Sequence, residues 1–138
     1  MGTKLNPYLN FKDNTRAAME FYKSVFGGKL TTSTFKEFQA SEDPGDDDKI
    51  MHSELEAENG IVFMAADTPS HLEYRSGTNF SMSLSGEDQA ELTAYFEKLS
   101  VGGVVSQPLT QAPWGDTFGM LIDKFDITWL VNIAGKKE

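Results

Sequence analysis

Two stretches of this chain repeat each other, and that repeat limits the possible folds more than any other feature. FYKSVFGGKL, from Phe21, is echoed 75 residues later by FEKLSVGGVV, from Phe96. In each copy an aromatic on a helix-like stretch leads into a double glycine, Gly27-Gly28 or Gly102-Gly103, and an apolar run. A weaker echo precedes each copy, NPYLNF at Asn6 to Phe11 and NFSMSL at Asn79 to Leu84. Self-similarity at a fixed spacing means one structural unit built twice. The 138 residues therefore read as a single domain of two similar modules, long enough to bury roughly two-thirds of the unfolded surface.

The residue patterns give both modules the order βαβββ. In module one (about 4–67), Lys4 to Phe11 suits a strand near a sheet edge, since it contains Pro7. Asp13, Asn14 and Thr15 offer helix caps, and Ala17, Ala18, Phe21, Tyr22 and Val25 follow at helical spacing until Gly27 stops the helix. Leu30 to Phe38, Ile50 to Glu56 and Ile61 to Ala66 read as strands, with a solvated acidic loop at Ala40 to Lys49 and an Asn59-Gly60 turn. Residues 68–78 are a polar connector. Module two (about 79–134) opens with a strand at Asn79 to Leu84. Ser85 and Asp88 form a capping-box-like start to a helix whose buried stripe is Leu92, Phe96 and Leu99, ended by Gly102. Val104 to Leu109, Thr117 to Asp123 and Ile127 to Ile133 complete it.

Composition removes several classes of function. A net charge of −9 with no Lys/Arg cluster opposes nucleic-acid phosphates, so no nucleic-acid partner is expected. No run has the length of a membrane span, and the first residues lack a signal peptide's apolar core, so a cytoplasmic protein with no membrane partner is expected. The absence of cysteine excludes thiolate metal sites and thiol nucleophiles. Gly27-Gly28-Lys29 is no phosphate loop, because Lys23 stands where that pattern needs glycine and Leu30 where it needs Ser or Thr. The acidic run Asp43 to Asp48 lacks the alternating ligands and terminal Glu of a calcium loop.

His52 and Glu54 are the candidate catalytic residues. Two apart on one strand, they share a face, where an imidazole and a carboxylate could transfer protons, join a metal, or form a structural hydrogen-bonded pair. Trp114, in QAPWGDTFG, either walls a ligand site or packs over an open sheet end. Trp129, among apolar residues, reads as core.

The ordered segments PYLNF, FYKSVFGG, MHSEL, VFMAAD, NFSMSL, WGDTFGMLIDKF and TWLVN resemble the PhnB-like proteins, often labelled 3-demethylubiquinone-9 3-methyltransferase-like. These are similar to the vicinal oxygen chelate superfamily, with glyoxalase I, bleomycin-resistance proteins and extradiol dioxygenases. The resemblance spans residues 4–134, and DKFxxxW is its most specific element. It implies an α+β fold in which two tandem βαβββ modules form an incomplete barrel with a concave cleft, commonly as a homodimer. It also implies that a metal, in the enzymes, is held from the first and last strands of each module. Those positions are here Asn6 (or Pro7), Met64, Asn79 and Leu130, with Asp126 standing where relatives have glycine.

Amides and apolar side chains do not hold a divalent transition metal, so neither metal nor cofactor is expected. The cleft, including Asn6, Met64, Asn79, Trp114 and Leu130, is expected to bind an unidentified small molecule, with drug sequestration as one form of that function. The alternative is a lyase- or isomerase-type enzyme using His52 and Glu54 or a non-standard metal site. Methyl transfer ranks last, since no glycine-rich donor-binding strand–turn–helix is present.

Overall fold

The computed structural model describes residues 3–135. The chain divides between Arg75 and Ser76 into two compact units. Unit one contains β1 (Tyr8–Phe11), α1 (Thr15–Phe26), β2 (Lys29–Thr34), β3 (Ile50–Glu56) and β4 (Val62–Asp67). Its four strands lie in the order β1-β4-β3-β2, with β1 parallel to β4 and the other pairs antiparallel. Unit two repeats the plan with β5 (Met82–Gly86), α2 (Gln89–Leu99), β6 (Val104–Gln111), β7 (Thr117–Ile122) and β8 (Thr128–Ile133), ordered β5-β8-β7-β6 with β5 parallel to β8. The fold is α+β, and both sheets are open. No helix among the described residues is long and apolar enough to cross a membrane.

Each helix covers one face of its own sheet. Ala18, Met19, Tyr22, Val25 and Phe26 recur at helical spacing and are buried, as are the strand residues Leu9, Phe11, Leu55, Phe63 and Ala65. The Tyr22 and Phe26 rings meet Phe63 edge-on, with centroids 5.5 and 6.2 Å apart. In unit two Leu92, Phe96 and Leu99 form the buried stripe, and Trp129, Val131, Ile133 and Leu121 are the buried strand residues. Removing one such aromatic or leucine to alanine costs about 2–5 kcal/mol.

The repeated double glycine has two separate causes. Gly27 has φ 73° and Gly102 has φ 77°, left-handed values at which a side chain is strained, and both follow a helix end. A Cβ on Gly28 would lie 2.1 Å from the Glu56 carbonyl oxygen, and one on Gly103 would lie 2.2 Å from that of Ile122. So one glycine turns the chain, and the next lets it pass against the end of the third strand in each module.

Several local expectations are corrected. Asn14 holds the N-cap position of α1, yet its side chain makes no capping bond. Asp67, at the end of β4, supplies it instead: its carboxylate accepts from the amides of Thr15 at 3.0 Å and Ile50 at 2.8 Å. In unit two Ser85 belongs to β5, and Asp88 is the N-cap, accepting from Glu91 N at 3.0 Å. Strand β2 stops at Thr34 because residues 35–39 turn. Strand β5 begins at Met82, three residues after Asn79.

The acidic loop is also less solvated than its composition suggests. Pro44–Asp46 forms a short 3-10 turn, and Asp46 is only 1 % exposed. Asp46 accepts from Ser70 N and Ser70 Oγ and pairs with Lys49 at 2.9 Å, while Lys49 also meets Asp13 at 3.0 Å. The Lys49 ammonium holds the Asp46 carboxyl below its ordinary range, and Asp46 in turn raises Lys49.

Candidate functional site

Side chains along a strand alternate between faces, so the core fixes what the other face must present. In unit one Leu9, Phe11, Ser53, Leu55, Phe63, Ala65 and Asp67 are the buried alternates. The face away from α1 therefore carries Tyr8, Asn10, Thr31, Ser33, His52, Glu54, Met64 and Ala66. The strand register arranges these in rungs. One rung runs Tyr8, Met64, Glu54, Thr31 across the four strands. The next pairs Asn10 with Ala66 and His52 with Ser33.

His52 and Glu54 do share this face, half-buried. Sequence reasoning missed Tyr8, which is 44 % exposed. Its hydroxyl lies 3.5 Å from His52 Nδ1, at the outer limit of hydrogen bonding, and the rings are 6.1 Å apart and tilted by 40°. Burial pushes the Tyr8 phenol above its ordinary range, so it stays protonated near neutrality. A neutral phenol, an imidazole and a carboxylate can donate, accept and exchange protons.

Unit two builds the matching rungs from different chemistry. They read Ser83, Leu130, Met120, Gln107 and Ser85, Asn132, Phe118, Thr110. The equivalence rests on hairpin register, Glu56 opposite Val62 and Ile122 opposite Thr128. Met64 and Leu130 are thus equivalent and lie on the faces away from the helices. Their first-strand neighbours are Tyr8 and Ser83, in place of Asn6 and Asn79. Asn6 precedes β1, and Asn79 is exposed in a bend before β5. The echo NPYLNF/NFSMSL is therefore two residues out of the structural register of the two first strands.

Neither assignment suits a transition metal. In unit one the pair is a phenol and a thioether, and in unit two a hydroxyl and an isobutyl group; neither pair supplies the imidazole or carboxylate such a metal needs. Among the described residues no group of three or more His, Cys, Asp or Glu is placed to hold a metal ion.

The other aromatic and titratable groups are distributed over both units. Trp114, at the β6–β7 turn, is 72 % exposed, so the alternative in which it packs over a sheet end does not hold. Trp129 is core as expected, and its Nε1 donates to Asp123 at 2.8 Å. His71 pairs with Glu42 at 3.3 Å, both exposed. A cavity of about 630 Å³ opens beside the start of α1, among Asp13, Arg16, Glu20, Asp48 and Lys49. Another of about 360 Å³ lies between Asn10, Leu72, Tyr74 and Arg75. None of the sequence-derived site residues lines either.

A family model described as 3-demethylubiquinone-9 3-methyltransferase matches residues 3–132. The chain is 34% identical to PA1353 from Pseudomonas aeruginosa over 98% of its own length and 100% of that chain, with a TM-score of 0.82. A structure from Bacillus cereus, described as a putative 3-demethylubiquinone-9 3-methyltransferase, PhnB protein, is 27% identical over 96% and 100% of the two chains, with a TM-score of 0.76. The YjdN protein of Escherichia coli K12 is 25% identical, covering 94% of this chain and 95% of that protein.

Proposed function

The chain belongs to the 3-demethylubiquinone-9 3-methyltransferase family, and from that premise we propose that it is a small-molecule-binding member of the vicinal oxygen chelate superfamily. In this reading it acts as a homodimer and without a metal. One observation carries the binding function: the sheet face away from α1 presents Tyr8, His52, Glu54 and Met64, partly accessible and unused by the core. The donor chemistry at the strand positions supports metal independence. The family description names a methyl transfer, yet the sequence carries no GxGxxG turn for a methyl donor's nucleotide portion.

Metal analysis of the purified protein by plasma mass spectrometry, with a thermal-shift scan over Zn²⁺, Ni²⁺, Mn²⁺ and Fe²⁺, tests this reading. Stoichiometric metal or a large specific shift would overturn it. A fragment screen by NMR then asks whether this face binds small molecules, and sedimentation reports the dimer.

A second reading, a lyase- or isomerase-type enzyme, draws on the approach of Tyr8 to His52. It predicts that a bound ligand is converted over time and that His52→Ala stops the conversion while leaving binding in place.

A further inference from the structure

The strand positions held by Tyr8, His52 and Glu54 have no structural need of titratable side chains. Unit two builds the same sheet with Ser83, Phe118 and Met120 at the matching places. The three groups are therefore additions to module one that the architecture does without. We propose that this face binds a planar amide-like group, one carrying a hydrogen-bond donor beside an acceptor oxygen, borne on an aromatic or apolar body. The proposal rests on the small-molecule reading above and specifies its ligand.

The chemistry follows from proton counting. A neutral phenol and a neutral imidazole together carry two polar protons. Whichever of Tyr8 Oη and His52 Nδ1 donates across their 3.5 Å contact, one proton is left for a ligand: Tyr8 O–H in one tautomer, His52 Nε2–H in the other. The pair thus offers one donor to a carbonyl oxygen. Burial favours the protonated Tyr8 phenol, so the phenol keeps its proton in that count.

Glu54 lies on the same rung as Tyr8, with Met64 between them. An ionised carboxylate only accepts, so it selects an N–H on the ligand and repels an anion. The Met64 thioether and the Tyr8 ring supply a surface for a flat apolar body. Two acidic or two accepting groups on a ligand would each leave one partner on this face unmatched, which is costly when partly desolvated.

Three isosteric probes separate the possibilities: benzamide carries donor and acceptor, acetophenone the acceptor alone, and benzoate an anion. Chemical-shift titration of the wild-type protein should place benzamide on Tyr8, His52, Glu54 and Met64. It should bind at least about tenfold more tightly than either other probe. The double variant His52→Phe/Glu54→Met installs the residues that unit two already accommodates, and should lose that preference with its spectrum still dispersed. Benzoate or acetophenone binding this face as tightly as benzamide would overturn the proposal, as would benzamide shifts that are absent or lie elsewhere. If other fragments still bind this face, only the amide preference has failed. A face that no fragment perturbs removes the small-molecule reading as well. Should the variant unfold, the ranking of the three probes on the wild type decides.

Discussion

At the scale of single residues, buried aspartates organise this protein. Asp123 is 3 % exposed, and its carboxylate accepts from Phe125 N, Ile127 N and Trp129 Nε1 at 2.8, 3.1 and 2.8 Å. That set accounts for the DKFxxxW element: the aspartate fixes the β7–β8 turn and anchors the indole six residues on. The same turn holds Asp126 at φ 69°, a left-handed value that aspartate tolerates better than most side chains. Removing the carboxylate leaves three donors unmatched, so Asp123→Ala should cost about 3 kcal/mol in urea unfolding. Asp46 makes a pH-dependent contribution. Its native pKa is depressed, chiefly by Lys49, so it stabilises the fold above the unfolded value of about 4 and ceases to as pH falls through the native value. Lys49, raised by Asp46, has the opposite sense, stabilising below about pH 10 and losing that effect as pH rises past its native value. Urea midpoints measured across the acid range should fall less steeply in Asp46→Asn than in the wild type.

At the scale of elements, the two glycines of each repeat should respond differently to the same substitution. Gly27→Ala strains a left-handed backbone but meets no atom within 4 Å, and should cost about 1 kcal/mol. Gly28→Ala adds a collision with the Glu56 backbone, and should cost about 2–4 kcal/mol by thermal or chemical unfolding. The sequence made both helices and the hairpin at Asn59-Gly60 legible, because helical apolar spacing and a left-handed dipeptide are local signals; Asn59 and Gly60 have φ 63° and 74°. The cap of α1 was not legible. Asp67 is 52 residues from the amide it caps, and no local pattern links them.

At the scale of the whole chain, the internal repeat disclosed the architecture, whereas the candidate site was disclosed only by half. His52 and Glu54 followed from strand alternation within one segment. Tyr8 required knowing how β1 pairs with β4, which is a long-range register. The weak echo between the first strands misled there, since equal spacing of similar residues says nothing about which partner each one faces. Trp114 remained ambiguous in the sequence because exposure depends on what a turn does in three dimensions.

One sheet edge of unit two has a consequence for handling the protein. Strand β6 forms a sheet edge, eight residues long, and nearly all of it is exposed. Such a strand is a ready template for other chains, yet this one is interrupted by Pro108 and by two register irregularities. The missing N–H and the broken pleat deny an incoming strand a continuous ladder. Pro108→Val should therefore leave the native fold intact while shortening the lag before light scattering rises on prolonged warming at high concentration. The proline then acts as a guard on shelf life and solubility, a service rendered to the population of molecules more than to any one of them.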